Sequence, residues 1–424
     1  MKFVLPSLPP SWSRTRLDHV ATVNARIGWK ALTAAEYVPE GYAFLSTPNI
    51  KNSVIDFENV NYIDEFRFEE SPELKLQKGD VLLVKDGNTL GITNIVSDLP
   101  RAATVNGSIA VVRTDTLEPR FLRYALASDL VQEMIAAVKA GMGVPHLFQA
   151  DIKKFPLPRP ALLVQRAIAD YLDSEIARID ALIEKKQRMV ELLEERRRAA
   201  FDIFTVPTAL GGTADAGGQR WDVASIKHMA HFFTDGDWIE SPFIQDDGIR
   251  LIQTGNIGEG VYRDQGYRFI SDQTFRELGC TEILPGDVLI SRLAGPVGCA
   301  CLAPNLDVRM VGAVDIVILR PRAALDRQFA VAYLTSRRHL ALADLLARGT
   351  TMQRLSRFQV GQMRIPVPPI EQQRDAVSRL ERTTEPLEEA RDAVERQLRL
   401  VREHRQALIT AAVTGEVEIA GVPA

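Results

Sequence analysis

Short apolar runs alternate with turn residues in the first part of the chain, and this pattern predicts β-strands. Each run is bounded by Gly, Asn or Asp, as strands between turns usually are. The predicted strands are residues 42–50, 80–85, 91–96 and 109–113. A helical pattern follows from about Pro119 to Lys139, and Gly141 should end it. A proline-punctuated extended strip at residues 155–160 then completes what we interpret as a mixed α/β domain.

A long amphipathic pattern follows this domain, from about Leu163 to Phe201, and it contains neither Gly nor Pro. Apolar residues recur every seven positions with two polar interruptions, which predicts a coiled-coil helix. A helix with one apolar seam cannot bury that seam alone, so a partner helix is expected. The seam positions are Leu172, Ile176, Ile179, Ile183, Lys186, Val190, Leu193 and Arg197.

The same scheme returns about 208 residues later. Gly79 matches Gly286 (286 − 79 = 207), Trp12 matches Trp221 (221 − 12 = 209), and Gln165 matches Gln373 (373 − 165 = 208). Solenoid repeats are roughly 20–50 residues long, so this period indicates a duplicated domain. A Gly-rich stretch at residues 205–219 separates the copies and is typical of a flexible linker.

The second copy repeats the predicted elements of the first. Strands are expected at residues 250–257, 287–292 and 315–319, a helix at 326–347, and an extended strip at 363–369. A second long helix should begin near Ile370 and end before Gly415, with Pro386 marking a kink or a restart. Its seam residues recur every seven positions at Leu387, Val394, Val401 and Leu408.

These patterns predict an α+β chain. Two similar mixed α/β domains are joined by two long helices, which pack as an antiparallel coiled coil with a pseudo-two-fold. The alternative is that each helix docks only on its own domain. The expected boundaries are 1–160 and 220–369 for the domains, 161–204 and 370–414 for the helices, 205–219 for the linker and 415–424 for a tail.

Composition narrows the class of protein. Of the 424 residues, 46% are hydrophobic and 25% are charged, as in ordinary globular proteins. The net charge is −4, so we expect the chain alone to bind a phosphate backbone weakly. The three cysteines are too few for a disulfide framework and are expected to be buried free thiols. With no signal-peptide pattern and no apolar run of about 20 residues, we expect a cytoplasmic protein without membrane contact.

The motifs of common enzymes are missing from the sequence. It has no phosphate-binding G-x-x-x-x-G-K-[ST], no dinucleotide fingerprint, no H-E-x-x-H and no G-x-S-x-G. The Asn/Asp-Pro-Pro-Tyr/Phe motif of adenine methyltransferases is also missing. The best metal-like group is better explained as polar residues at a strand end and turn; it consists of His228, His231, Asp235 and Asp237. Asp80 and Asp287 are expected to bond backbone amides in turns. A binding module is therefore favoured over an enzyme.

Several segments together resemble the specificity subunits of type I restriction–modification systems. These are Pro-x-x-Trp at residues 9–12, Leu-x-x-Gly-Asp-Val-Leu at 76–82, the Ile-Pro-Val-Pro-Pro-Ile-Glu-Gln-Gln-Arg segment at 365–374 and the helix end at 405–415. The resemblance covers essentially the whole chain. Only the start of the first long helix departs from it, since residues 160–165 lack the Pro-Pro and Glu-Gln of the second copy.

The resemblance implies that each domain is a target-recognition domain that reads one half of a split DNA site. The helices would set the spacer and dock two modification subunits. S-adenosylmethionine, ATP and Mg²⁺ are expected on the modification and restriction/translocase subunits, with no cofactor and no catalysis in this chain. The helix positions expected to serve docking are Ile176, Ile179, Ile183, Val190, Leu387, Val394, Val401 and Leu408.

Two loops per domain recur at matched positions and carry side chains able to read base edges. One loop follows the Gly-Asp strand, at 85–89 and 292–296. The other precedes the proline strip, at 141–146 and 349–354. The predicted DNA contacts are Lys85, Asn88, Thr89, His146, Arg292, Thr350, Gln353 and Arg354. Lys85 and Arg292 occupy one aligned position (292 − 85 = 207), and the alternative for both is a solvated charge at a strand end.

Two other functions stay open from the sequence. The chain could be a methyltransferase or nuclease whose motif is unrecognised, which S-adenosylmethionine binding by the isolated chain would favour. It could also be a coiled-coil adaptor without nucleic acid, which failure to shift any DNA in the presence of partners would favour.

Overall fold

The structure is a computed structural model that describes residues 7–25, 32–51, 53–139, 146–205, 221–293, 295–349 and 353–419. The chain forms two compact units. Unit 1 contains Met1–Lys186 and Arg396–Ala424, and unit 2 contains Gln187–Glu395. Each long helix therefore contributes one part to each unit. The predicted linker lies outside the described residues except for Thr205, which ends the first long helix.

The described part of unit 1 contains three small sheets, four short helices, the first part of one long helix and the last part of the other. Its elements are β1 (Ser13–Arg16), β2 (Thr22–Asn24), β3 (Tyr42–Leu45), β4 (Asn61–Ile63), α1 (Glu65–Glu69), β5 (Val81–Val84), β6 (Thr93–Ile95), β7 (Ala103–Val105), β8 (Ile109–Arg113), α2 (Pro119–Ala127), α3 (Asp129–Lys139), α4 (Gln149–Ile152), β9 (Pro156–Arg159) and α5 (Leu162–Thr205).

Unit 2 repeats this order, beginning in the second part of α5. Its elements are β10 (Asp222–Ser225), β11 (Ala230–Asp235), β12 (Ile249–Ile252), β13 (Phe269–Ile270), α6 (Asp272–Leu278), β14 (Glu282–Ile283), β15 (Val288–Ser291), β16 (Ala300–Leu302), β17 (Met310–Gly312), β18 (Ile316–Pro321), α7 (Arg327–Thr335), α8 (Arg337–Leu346), α9 (Arg357–Gln362), β19 (Arg364–Val367) and α10 (Ile370–Thr414).

The sheets of the two units have matching topologies, except that the second sheet of unit 2 has one more strand, β14. In unit 1 an antiparallel sheet has the order β2-β8-β5-β6, and in unit 2 its counterpart has the order β11-β18-β15-β16. A second sheet contains the parallel pair β3–β7 in unit 1 and the parallel pair β12–β17 in unit 2. The proline strips are strands β9 and β19, paired antiparallel with β1 and β10. The central strands β5 and β15 are buried along their whole length, so apolar side chains fill both faces.

The predicted strands are found, but those expected at residues 42–50, 91–96 and 250–257 are shorter, namely β3, β6 and β12. β3 ends at Leu45 because residues 46–49 form a turn, in which Asn49 Oδ1 accepts a hydrogen bond from Ser46 N at 2.9 Å. Gln253 and Asn256 form the same turn after β12, at 2.8 Å. The apolar run of residues 42–50 did not reveal that turn.

The single helices predicted at residues 119–139 and 326–347 are wrong, because each is two helices. The breaks fall at Ser128 and Ser336 (336 − 128 = 208), where the backbone is extended. Both Ser side chains donate to the carbonyl three residues earlier, Ser128 to Ala125 at 2.7 Å and Ser336 to Tyr333 at 2.6 Å. These local side-chain bonds compete with the helix and turn the chain.

The long helices have nearly the predicted bounds. α5 runs from Leu162 to Thr205 and α10 from Ile370 to Thr414. Of the kink or restart predicted at Pro386, the restart is wrong, since α10 continues through this residue, and the kink stays a prediction. Among the described residues, no helix is both long and apolar enough to cross a membrane.

α5 and α10 pack antiparallel, as predicted. In unit 1, Arg405 Nε donates to Asp180 Oδ1 at 2.7 Å and Lys186 Nζ donates to Gln397 Oε1 at 2.5 Å, so the numbering runs in opposite directions. In unit 2, Arg197 Nε donates to Glu388 Oε1 at 2.6 Å. The two Arg–carboxylate pairs occupy equivalent positions (405 − 197 = 208 and 388 − 180 = 208). The same register therefore holds in both units, and the α+β architecture with paired helices is confirmed.

The helices also pack on the domains, but the alternative that each docks only on its own domain is wrong, because α10 also packs in the core of unit 1. In unit 1, Leu172 and Ile176 of α5 and Ile409 of α10 share one core with the β2-β8-β5-β6 sheet. A buried glutamine at the start of each long helix links it to the helix beside the sheet. Gln165 Oε1 accepts from Glu118 N at 2.9 Å, and Gln373 Oε1 accepts from Asp326 N at 2.8 Å.

Candidate nucleic-acid interface

One end of the four-stranded sheet in each unit collects several loops. In unit 1, β2 and β5 end where β6 and β8 begin, because all neighbouring strands are antiparallel. The strand loop is defined here as residues 85–91 in unit 1 and 292–298 in unit 2, of which Ala294 lies outside the described residues. The helix loop is defined as residues 146–148 and 353–356. The described parts of both predicted loops thus belong to one end of the sheet, which we name the loop end.

Backbone hydrogen bonds join the strand loop to the helix loop in both units. Leu147 N donates to Lys85 O at 2.8 Å, and Leu355 N donates to Arg292 O at 2.9 Å. Single bridges continue the contact between Asp86 and His146 and between Leu293 and Arg354. The matched spacing of the two loops in the sequence therefore corresponds to one duplicated spatial arrangement.

Lys85 lies at the base of the loop end of unit 1 with its side chain buried. It is 6% exposed, and Nζ donates to Asp86 Oδ2 at 3.2 Å. The alternative of a solvated strand-end charge is wrong for this residue. Since its ammonium group is enclosed and paired, the geometry favours a role in holding the loop, and DNA contact by Lys85 stays a prediction.

The exposed groups of unit 1 lie further along its loops. Asn88 and Thr89 are exposed at the tip of the strand loop, where they can reach a ligand. His146 is partly exposed and its Nδ1 contacts Asp86 Oδ1. The edge of its ring packs against Phe148, which is 56% exposed, with the ring centroids 4.6 Å apart. Sequence reasoning missed Phe148, which follows directly in the helix loop.

Arg292 replaces Lys85 at the base of the loop end of unit 2, and it is also buried, at 7% exposure. Its guanidinium donates to Leu355 O at 2.8 Å, to Val314 O at 3.0 Å and to Asp235 Oδ1 at 2.7 Å. A solvated charge is therefore wrong here too. Acceptors from three different segments occupy the guanidinium group, so the geometry favours a structural role for Arg292. DNA contact by Arg292 stays a prediction.

The helix loop of unit 2 presents further polar side chains. Gln353 is exposed, and Arg354 is half-exposed with its guanidinium 2.7 Å from Asp315 Oδ1. Arg357, at the start of α9, is also half-exposed and lies 3.7 Å from Asp235 Oδ2. Thr350, the remaining predicted contact, lies outside the described residues. Sequence reasoning missed Arg357, which has Gln149 at the equivalent position of unit 1 (357 − 149 = 208).

An exposed tryptophan follows β11 at the loop end of unit 2. Trp238 is 68% exposed. The preceding Asp237 donates its N–H to Gly312 O at 2.7 Å, which brings this segment beside β17. An exposed aromatic ring suits contact with nucleic acid, through stacking on bases or sugars. The sequence held a signal for it, since Trp29 stands at a similar offset in the first copy (238 − 29 = 209); Trp29 lies outside the described residues.

The metal-like group of the sequence does not converge in the structure. Asp235 pairs with Arg292 and Arg357, Asp237 accepts from Thr281 N at 2.8 Å, and His231 Nδ1 contacts Pro321 O at 3.0 Å. No group of three or more His, Cys, Asp or Glu that could hold a metal ion is found within the described ranges.

The cysteine and aspartate predictions of the sequence are confirmed. All three cysteines are free and buried, and burial raises the pKa of Cys299 and Cys301 to about 12 each, so these thiols stay protonated at neutral pH. Asp80 and Asp287 accept backbone amides at 2.7 and 2.9 Å. Each also receives two hydrogen bonds from an arginine, which the sequence did not indicate; these are Arg113 and Arg320.

The eight helix positions predicted for partner docking lie along the seams of α5 and α10. Ile176 and Val394 are buried and the other six are half-buried, namely Ile179, Ile183, Val190, Leu387, Val401 and Leu408. Their apolar surface is therefore largely used within the units. A docking role for these side chains stays a prediction.

These features define a class of protein: a duplicated chain in which each unit has one loop end and one antiparallel pair of helix segments. Residues 9–192 match the family model described as the type I restriction modification DNA specificity domain. The chain is thus similar over this segment to the specificity subunits of type I restriction–modification systems.

Individual relatives and one solved structure are similar to this chain over different shares of its length. The EcoKI specificity subunit of Escherichia coli K12 is 20% identical over 97% of this chain and 90% of its own length. The MjaVIII specificity subunit of Methanocaldococcus jannaschii is 23% identical over 48% of this chain, and the matching stretch spans about half (47%) of that relative. A solved structure concerning complex assembly and conformational transition of the type I system shares the fold, with a TM-score of 0.71, 19% identity and coverage of 97% of this chain and 100% of that one.

Proposed function

We propose that this chain is the DNA-recognition subunit of a type I restriction–modification complex, and that each unit reads one half of a bipartite site in double-stranded DNA. Two modification subunits supply S-adenosylmethionine and the methyl transfer, and restriction subunits supply ATP- and Mg²⁺-dependent translocation. This chain contributes recognition and no catalytic group, and it acts in the cytoplasm. An enzyme with an unrecognised motif, or an adaptor without nucleic acid, would leave the duplicated loop ends without a role.

The observation that carries this proposal is the duplicated loop end. The backbone bonds from Leu147 to Lys85 and from Leu355 to Arg292 hold two loops side by side in each unit. The side chains between these bonds differ between the units, while the frame that holds them is the same. Variable loops on a rigid sheet suit the reading of two different half-sites.

The charge pattern supports weak DNA binding by the isolated chain. The net charge is −4, and the arginines at the loop end of unit 2 are paired with Asp235 and Asp315. DNA affinity depends on cations that neutralise phosphates and release counterions. We therefore expect partners to supply much of the affinity. Tight, sequence-selective binding by the purified chain at physiological salt would contradict this expectation.

Exposed leucines on the long helices support the docking of two equivalent subunits. Leu192 of α5 is 43% exposed and Leu400 of α10 is 63% exposed, and they occupy equivalent positions (400 − 192 = 208). Each belongs to a different unit, so each offers one matched apolar contact. Replacing either with Lys should weaken the binding of one modification subunit and leave the other bound, which native mass spectrometry would detect as a shift to one subunit per chain. The exposed Arg399→Lys variant serves as the control.

The antiparallel register of α5 and α10 supports their role as the spacer. A residue inserted into α5 alone would displace Asp180 or Arg197 from its partner on α10. We therefore expect that spacer length changes only when equal insertions are made near Lys186 in α5 and near Val394 in α10. Four residues in each helix add about one turn, roughly 5.4 Å or one to two base pairs. An active paired insertion that methylates the original spacer would contradict the ruler role.

The deciding experiment exchanges one domain for that of a relative. Residues 222–367 should be exchanged as a block, because β10 and β19 pair from Asp222↔Val367 to Ser225↔Arg364 and must stay together. Assembled with its modification subunits, the chimaera should methylate a site altered in one half only. The matched exchange of residues 13–159, from β1 through β9, should alter the other half. A change in both halves from either exchange would refute independent reading.

A further inference from the structure

The strand loops of both units end on a glycine that packs against the second helix beside the sheet. Gly91 and Gly298 occupy equivalent positions (298 − 91 = 207) and have φ of 94° and 81°, a conformation that favours glycine. Gly91 N donates to Val84 O at 2.9 Å and Gly298 N donates to Ser291 O at 2.8 Å. Each loop is therefore closed at its far end by the same backbone bond.

A side chain from the neighbouring helix holds each of these glycines. In unit 1, Gln132 Nε2 on α3 donates to Gly91 O at 3.0 Å and to Leu126 O at 2.9 Å. In unit 2, His339 on α8 places Nε2 at 3.2 Å from Gly298 O. The two donors differ in residue type and in helix position, four residues after Ser128 and three after Ser336. They meet the same carbonyl of the strand loop.

The close approach of helix and loop shows how tightly this contact is built. A Cβ on Gly298 would lie 2.7 Å from Ala343 Cβ, and a Cβ on Gly91 would lie 2.7 Å from Gln132 Oε1 and 3.3 Å from Ile135 Cγ2. Ala343 and Ile135 are equivalent (343 − 135 = 208). The glycine backbone therefore packs directly against the helix. The side chain of Gln132 or His339 then orients the carbonyl group of the glycine.

The chemistry of His339 leaves one arrangement for its ring. Gly298 O can only accept, so Nε2 carries the proton and Nδ1 is the unprotonated nitrogen. The ring is fully buried, and Nδ1 has no hydrogen-bond partner in the described part of the chain. Burial lowers the pKa of His339 to about 4, so the ring is a neutral donor at neutral pH.

We propose that Gln132 and His339 are positioning residues that set the conformation of the two strand loops and thereby the base selectivity of each half-site. The link between loop conformation and base selectivity rests on the proposed function. The strand loop is fixed at its base by Lys85 or Arg292 and at its far end by Gln132 or His339. The exposed tip between them, which contains Asn88 and Thr89 in unit 1, keeps its shape only while both ends are held.

The first test measures the loops in the chain alone and does not depend on DNA. Gln132→Leu and His339→Leu remove the donors while keeping apolar bulk. Hydrogen exchange at the Gly91 or Gly298 amide should become about two- to tenfold faster in the matching unit only, the range that one net hydrogen bond covers. His339→Gln should restore slow exchange, because Gln Nε2 is as many bonds from Cα as His Nε2. Unchanged exchange in the Leu variants would overturn the positioning role.

The second test measures selectivity in the assembled complex. With modification subunits and S-adenosylmethionine, Gln132→Leu should relax base choice in one half of the methylated site, His339→Leu in the other, and His339→Gln in neither. The exposed neighbours Glu133→Leu and Arg338→Leu are the controls and should leave both halves intact. Loops that loosen without any change in the methylated site would overturn the link to selectivity. A wild-type complex without a bipartite site would instead refute the proposed function and leave the exchange result standing.

Discussion

The loop ends of the two units share a backbone frame and differ in the groups that fill it. Leu147 bonded to Lys85 in unit 1 corresponds to Leu355 bonded to Arg292 in unit 2. The base of the loop in unit 1 is a lysine with one carboxylate partner, Asp86, whereas in unit 2 it is an arginine with three acceptors. The frame is made by main-chain groups, which every residue supplies.

This difference teaches which parts of a recognition domain can vary. Three features recur in both units: the backbone bonds between the two loops, the glycine that ends the strand loop, and the Asp–Arg ion pair at the other end of the sheet. The side chains of the helix loop and the helix start after it do not recur, since unit 2 has Arg354 and Arg357 where unit 1 has His146 and Gln149. Because the recurring contacts lie at the two ends of each strand loop, the exposed side chains between them can vary without loss of the frame.

The largest expected effect separates the two basic residues at the loop base. Arg292→Ala leaves two buried carbonyls without their donor and Asp235 without its closest cation, so we expect unit 2 to lose about 3 kcal/mol of unfolding free energy. Lys85→Ala removes one ion pair and should cost unit 1 about 1 kcal/mol. Urea titration followed by hydrogen exchange of peptides from each unit measures both. Equal losses of unfolding free energy would mean that Lys85 and Arg292 stabilise their units equally.

A smaller and equal effect is expected where the units agree. Arg113→Ala and Arg320→Ala each leave a buried carboxylate, Asp80 or Asp287, with its backbone amide as remaining partner. We expect about 2 kcal/mol from each, since both arginines are partly exposed and water can replace them in part. The same urea titration serves as the measurement, with the exposed Arg101→Ala variant as control. Clearly different losses of unfolding free energy would show that the Asp–Arg pair does not stabilise the two units equally.

Acid should distinguish the units through His339, because Gln132 does not titrate. The pKa of His339 is about 4 when folded and near 6.5 when unfolded, so the unfolded state binds more protons between these values. Stability of unit 2 is therefore full above pH 6.5 and falls as the pH drops towards 4. Between pH 7 and pH 5.5 we expect a loss of about 1 kcal/mol that His339→Gln abolishes. Parallel pH profiles for wild type and His339→Gln would contradict this.

The smallest expected effect concerns the equivalent ion pairs of the helices. Asp180–Arg405 in unit 1 and Glu388–Arg197 in unit 2 are both partly exposed. Double-mutant cycles to Ala should give about 0.5 kcal/mol of coupling in each pair. Arg197→Ala alone should cost more than Arg405→Ala, because Arg197 also donates to Glu259 O at 2.9 Å. A larger cost at Arg405 would reverse this comparison.

The sequence by itself determined the duplication, the two long helices and the identity of the recurring turn residues. These follow from periodicity and fixed offsets, which can be read from a sequence without knowledge of tertiary contacts. The bounds of α5 and α10 were predictable because a 3.5-residue apolar repeat without Gly extends over more than five turns. The bonds of Asp80 and Asp287 to backbone amides were predictable because they are local in sequence.

Only the tertiary structure decided what the charged residues of the loops do. Arg292 meets Asp235 and Leu355, which are 57 and 63 residues away, so no local pattern could show that it is buried. The breaks at Ser128 and Ser336 were hidden because apolar residues continue across them. Gln132 and His339 are one position apart when the copies are aligned, and only the folded chain brings both to the same carbonyl. Side-chain contacts over long sequence distances depend on how the sheet and helices pack, and a single sequence does not encode that packing in any local spacing.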